Sequence, residues 1–342
     1  DFCLSRGLGD VYKRQSSNTA VGKSAGYKTS TSYNTYVGSL AAEKLAGGSG
    51  HNTIVGYAAG RGDSDLFSGS HNTIMGSYAL GDNSLASSNR NIILGYRAAY
   101  EGLTIDDNVI IGYQAAYNEE TGDQNVFIGY ESAYDGDGSA NNVIIGYKAG
   151  HGWTGTPASN VAIGHTALSG ALTGSDNTAV GHLAGRYYVG GRMTAIGYLA
   201  GGGVTAHMGD GGFYGGARAG YKALGDSNIA LGQDSMYYQS GNKNIAIGNQ
   251  AMYGNTSTTD GDHNIALGYY ALYSTTTGDK NIAIGASSLD AQTTAHENTA
   301  IGYAAGSALT GQYNVLMGAG AAQSATSTVS YTHLRAHETG RN

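Results

Sequence analysis

The sequence is poor in the residues that mark several protein classes, and each scarcity excludes something. It has one proline in 342 residues, and its 57 glycines do not fall at every third position, so a collagen-type triple helix is excluded. Its one cysteine, Cys3, lies near the start, which leaves the rest of the chain without disulfides or thiolate chemistry. No apolar run approaches the roughly 20 residues of a membrane-spanning helix, and no membrane insertion is expected. Lysine and arginine number 18 against 25 acidic residues and are scattered, so the formal charge of −7 offers no basic footprint for nucleic acid. Motif chemistry is equally sparse. There is no His-Glu-x-x-His, nucleophile elbow or phosphate loop, so neither an enzyme nor a cofactor is expected.

What the sequence does have is a repeat. The stretch Asn264-Ile265-Ala266-Leu267-Gly268-Tyr269-Tyr270-Ala271-Leu272-Tyr273 returns in close copies along the chain. With Asn264 as position 0, the glycine at +4 recurs 18 times between Gly22 and Gly318, at a mean period near 17.4 and in steps of 16 to 20 residues. Short fixed periods of this kind mean a solenoid. The expected fold is all-β: a parallel β-solenoid of about 18 coils with a period of about 17 residues, spanning 16–328 as a single repeat domain. Residues 1–15 and 329–342 break the period. Both resemble translated library-adapter sequence, and they are expected to be a non-native leader and tail.

Position 0 is Asn in 16 of the 18 copies, the exceptions being Met193 and Gly212. The pairs Asn18 with Gly22, Asn52 with Gly56, Asn108 with Gly112, Asn264 with Gly268 and Asn298 with Gly302 illustrate the structural repeat. An asparagine ladder with a glycine corner is the natural reading. Positions +1 and +3 are almost always Thr, Val, Ile, Leu, Met or Phe, and are expected to point inward as a β-branched core. Position +2 is apolar as well, so the second face is expected to meet another chain or another wall of the same coil. After the glycine, +7 is Ala in 15 copies and Ser in three, with tyrosines at +5 and +9. This half-coil reads either as a short strand or as a helical turn with its tyrosines stacked outside. The segment Gly201 to Gly216 is the most degenerate copy and the expected weak point.

Candidate sites are few. Asp135 with Asp137, and Asp260 with Asp262, are acidic loop pairs that offer carboxylates to calcium, although solvated turns explain them as well. Arg61-Gly62-Asp63 spells an integrin-type receptor tripeptide in a loop. The exposed tyrosine row offers a surface for sugars or a partner. Thr at +1 in seven copies raises an ice-binding face, against which the inward assignment counts.

The strings NTAVGKSAG (Asn18 to Gly26), NIALGYYALYSTTTGDKNIAIG (Asn264 to Gly285) and NTAIGYAAG (Asn298 to Gly306) resemble the N-T-A-x-G-Y-x-A repeats of phage-type tail-fibre proteins. They are similar, more distantly, to the head repeats of trimeric autotransporter adhesins. The resemblance covers about residues 16–328. It implies a non-catalytic structural and adhesive fibre segment, extracellular on a cell surface or virion. It also implies a homotrimer whose partner is a host-surface glycan or protein. The adhesin heads are left-handed β-rolls; the longer period here and the Ala at +7 depart from them. The alternative is a soluble binding solenoid, calcium-dependent or ice-binding.

Overall fold

A computed structural model describes residues 17–45, 50–62, 69–81, 88–102, 104–170, 173–203, 209–254 and 260–324, together with the backbone of 333–334. It divides into two compact units, residues 1–176 and 177–342. The first contains β1 (Thr19–Val21), β2 (Thr35–Val37), β3 (Thr53–Val55), β4 (Thr73–Met75), β5 (Ile92–Leu94), β6 (Val109–Ile111), β7 (Val126–Ile128), β8 (Val143–Ile145) and β9 (Val161–Ile163). The second contains β10 (Thr178–Val180), β11 (Thr194–Ile196), β12 (Phe213–Gly215), β13 (Ile229–Leu231), β14 (Ile245–Ile247), β15 (Ile265–Leu267), β16 (Ile282–Ile284), β17 (Thr299–Ile301), β18 (Val315–Met317) and the two-residue β19 (His333–Leu334). Within each unit every strand pairs in parallel with the next, residue for residue: Ile265 faces Ile282, Ala266 faces Ala283 and Leu267 faces Ile284. The fold is the expected parallel β-solenoid, and among the described residues there is no helix.

The strand faces are reversed from expectation. The central residue at +2 is the one that turns inward: Ile110, Ala266 and Ala283 have no exposed surface. Positions +1 and +3 are intermediate or exposed in all 18 repeat strands, with Ile196 at 48% and Ile247 at 42%. The cause is the size of the coil. A three-residue strand turns one side chain inward, and the interior is completed by the Asn at 0 and by +7 and +8, as with Asn264, Ala271 and Leu272, all fully buried.

The second half-coil is neither a strand nor a helical turn. It is a run of tight turns in which +6 and +8 adopt the left-handed conformation: Tyr270 has φ of 57° and Leu272 of 51°. That conformation costs an L-residue roughly 1–2 kcal/mol. It aims successive peptide groups along the stacking direction, where they bond neighbouring coils. The Ser287 N–H donates to the Tyr269 carbonyl at 2.8 Å, and the Leu272 N–H to the Ser288 carbonyl at 3.0 Å. Both halves of the coil therefore advance at strand-like spacing. The glycine at +4 makes the corner, with φ of 139° at Gly268, and a Cβ there would sit 2.7 Å from the backbone of Gly285. Only glycine satisfies both conditions.

In most coils core volume is traded between +2 and +8. Ala266 and Ala283 at +2 accompany Leu272 and Leu289 at +8, whereas the large Ile54 and Tyr214 accompany Gly60 and Gly220. The degenerate copy takes this furthest. The Tyr214 ring lies where a side chain on Gly212 or Gly220 would be, and it is 1% exposed. β12 keeps its register with β11 and β13. The described part of the expected weak point is thus an ordinary coil with a different filling; residues 204–208 lie outside the described residues.

Candidate functional site

The repeat asparagines form the expected ladder. Where the preceding coil carries Asn, the backbone N–H at position 0 donates to its Oδ1, at 2.8–2.9 Å from Asn34 through Asn160 in the first unit. In the second unit the same bonds run from Asn244 to Asn314 at 2.8–3.0 Å. The Nδ2 groups close the loops: Asn264 donates to the Gly278 carbonyl at 2.8 Å, and Asn108 to that of Gly122 at 2.8 Å. Buried amides of this kind are stable only when their donors and acceptors are satisfied. Of the named repeat residues, Asn52, Asn108, Asn264 and Asn298 are buried, and Asn18 begins the ladder.

A second ladder, two residues before the first, is built from Asp and Asn and runs in the opposite sense. The backbone N–H of Asp210 donates to Asp226 Oδ1 at 2.8 Å, that of Asp226 to Asn242 at 2.8 Å, and that of Asp262 to Asp279 at 2.8 Å. In the first unit Asn89 and Asp106 donate in the same way to Asp106 and Asp123, at 2.7 and 2.8 Å. The Gly191 N–H, then the Arg192 guanidinium, hold the Asp210 carboxyl below the usual carboxylate range. Recurring Asp or Asn at position −2 was visible in the sequence as turn composition, but not as a ladder.

The acidic pairs separate on this geometry. Asp262 belongs to the second ladder, accepting from the Asn242 N–H at 2.6 Å, while Asp260 is exposed. Asp135 accepts from Asn118 Nδ2 at 3.0 Å and lies 3.7 Å from His151 Nδ1; Asp137 is exposed. Among the described residues no group of three or more His, Cys, Asp or Glu is placed to hold a metal ion. In the receptor tripeptide, Arg61 Nε pairs with Glu43 at 3.1 Å, Gly62 has φ of 61°, and Asp63 lies outside the described residues.

The tyrosines do stack outside. In the first unit the +5 column Tyr96, Tyr113, Tyr130, Tyr147 has ring centroids 5.0–5.3 Å apart, and His165 follows at 4.8 Å. The +9 column Tyr100, Tyr117, Tyr134 continues to His151 at 5.1–5.3 Å. Side chains at +6 sit between the columns. Arg97 lies 5.3 and 5.1 Å over Tyr96 and Tyr100, and Glu131 pairs with Lys148 at 3.0 Å. The neighbouring Glu131 carboxylate, then burial, pushes the Tyr130 phenol up to about 12.

Two buried carboxyls escaped the sequence reading: Asp234, paired with Arg218 at 2.7 Å, and Glu119. Glu119 is fully enclosed, accepting from the Ser139 N–H at 3.1 Å and the Ser139 hydroxyl at 2.6 Å, and burial pushes it up to about 8. A single Glu in a polar loop carries no periodic signal that would mark it as buried.

The broadest surface is the outer face of each unit's sheet. Its two rows, +1 and +3, are in register and almost wholly apolar or Thr, and Thr19, Thr35, Thr53 and Thr73 follow one another in the +1 row. In comparisons with known proteins, no family model matches the chain and no curated protein matches it.

Proposed function

We propose that the chain is a non-catalytic structural and adhesive segment of a fibre or surface adhesin, extracellular on a cell or virion, whose outer sheet faces are covered by further copies of the chain in a homotrimer. The observation that supports this most is the outer face itself. Val, Ile and Met stand exposed on strands of both units, with Ile163, Ile196, Ile247 and Met317 between 38% and 58% accessible. Contiguous apolar surface beyond a few hundred Å² marks an interaction site in soluble proteins. The turn side then faces the surroundings, and its polar loops carry attachment to a host glycan or protein. Incubating the purified chain with host cells and a glycan array tests the adhesive part: saturable binding supports it, and no binding by an assembled oligomer removes it.

A second reading, ice binding, gains from the reversed faces. The threonines once counted as inward now stand outward in register over four consecutive coils, the regular hydroxyl-and-methyl array that an ice-binding surface needs. Thermal hysteresis at millimolar protein supports this reading; its absence leaves the fibre reading alone.

A further inference from the structure

We infer that the tyrosine columns of the first unit are a site of oxidative cross-linking, where a one-electron oxidant couples phenols of neighbouring coils into dityrosine and staples the coils covalently. Three features of the columns carry this.

The first is register. Tyr113 and Tyr130 lie 5.0 Å apart with planes within 4°, Tyr130 and Tyr147 5.2 Å apart within 10°, and Tyr117 and Tyr134 5.1 Å apart within 8°. Each ring stacks on the equivalent ring of an adjacent coil. The second is access. Tyr113, Tyr130 and Tyr147 are 42–45% exposed. Stacking covers their faces, so the solvent meets the ring edges, where the ortho carbons that form dityrosine are placed. The same stacking argues against a sugar-binding platform, which needs open ring faces.

The third is a base. The Glu131 carboxylate follows Tyr130 in the chain and raises its phenol pKa, and it is held in place by Lys148 Nζ at 3.0 Å with His151 Nε2 at 3.5 Å. A phenol that loses an electron becomes strongly acidic. The adjoining Glu131 carboxylate is the acceptor for its proton, so oxidation at Tyr130 needs no charged radical intermediate. Two phenols each give up one electron and one proton, the two phenoxyl radicals join by one C–C bond between ortho carbons, and each ring returns its displaced hydrogen to the oxygen by tautomerisation. With hydrogen peroxide and a haem peroxidase as the oxidant, the peroxide accepts the two electrons and two protons and leaves as two waters.

The test uses horseradish peroxidase with limiting hydrogen peroxide on the dilute intact chain. The expected product shows dityrosine fluorescence, runs as a single chain on a denaturing gel and is two hydrogens lighter. No Lys or Arg lies between Arg97 and Lys148, so trypsin releases 98–148 whole. Further cleavage at its acidic residues should identify Tyr113–Tyr130, Tyr130–Tyr147 and Tyr117–Tyr134 as the linked pairs. Y130F, which keeps the ring, should abolish both pairs through that position and spare Tyr117–Tyr134. E131Q should slow coupling through Tyr130 several-fold with Tyr117–Tyr134 unchanged. Links formed only between chains, or a pattern identical to that of the chain oxidised in denaturant, would overturn the proposal. Equal coupling rates in E131Q would overturn the role of Glu131 as proton acceptor.

Discussion

Asn264 Oδ1 accepts two hydrogen bonds from Asn281 on the next coil, from the backbone N–H at 2.8 Å and from Nδ2 at 3.1 Å. Its own Nδ2 donates to the Gly278 carbonyl at 2.8 Å. One side chain thus joins two coils and closes a loop, with no water available to replace any of the bonds. Asn264→Ala is expected to cost about 2–4 kcal/mol, since buried donors and acceptors are left without partners. Asn264→Asp should cost more, because it buries a charge and turns a lone pair toward the Gly278 carbonyl. Urea unfolding monitored by circular dichroism checks both; equal stability of Asn264→Asp and the parent would contradict the ladder's role.

Gly268→Ala should destabilise by about 2–3 kcal/mol or more, through a left-handed φ together with a Cβ driven into the Gly285 backbone. Ala271→Gly, on the same coil and at an ordinary φ, serves as comparison and should cost less. Thermal melts of the two variants separate corner strain from general glycine effects.

In the degenerate copy, Tyr214→Ala removes a ring that fills the space beside Gly212 and Gly220 and should cost about 3–5 kcal/mol. Gly220→Leu added to it recreates the small-at-+2, large-at-+8 arrangement of Ala266 with Leu272. The double variant should recover a good part of the loss, whereas Gly220→Leu alone should be destabilising because its side chain meets the tyrosine ring. No recovery in the double variant would mean that +2 and +8 do not share one space.

Glu119 sets a pH dependence of unusual sign. Its ordinary value is 4.5 and burial pushes it up to about 8, so the folded chain holds a proton that the unfolded chain releases. Stability from this group is therefore present at low pH, falls as pH rises between about 4.5 and about 8, and levels off above. Asp107 and Asp210, held low by Arg90 and by the Gly191 N–H with Arg192, act the other way and below that window. The unfolding midpoint should decline from about pH 5 to about pH 9, and the decline should be lost in Glu119→Gln. An unchanged slope in that variant would assign the effect elsewhere.

The period, the asparagine ladder, the glycine corner and the outward tyrosines were legible in the sequence because each is one residue type at one fixed offset. What faces inward was not. Ile265 and Leu267 are bulkier than Ala266 and share one strand face, which suggested burial, but a three-residue strand turns its central side chain inward whatever its size. The turn half was illegible for a different reason: left-handed residues there are Tyr270 and Leu272, types that carry no sign of that conformation. The second ladder was hidden by composition, since Asp and Asn at position −2 look like any solvated turn. At the acidic pairs, the sequence showed two carboxylates but not their bonds: Asp262 accepts from the Asn242 N–H, while Asp260 is exposed.

The most direct measurement is sedimentation equilibrium of the intact chain beside Ile196→Glu and Ile247→Glu, two outward residues whose exposure lets the coil fold without them. The expected result is a trimer for the parent and a monomer with an unaltered circular dichroism spectrum for each variant. A parent that is monodisperse and monomeric, or variants that assemble as the parent does, would contradict the assignment of the outer sheet face to a second copy.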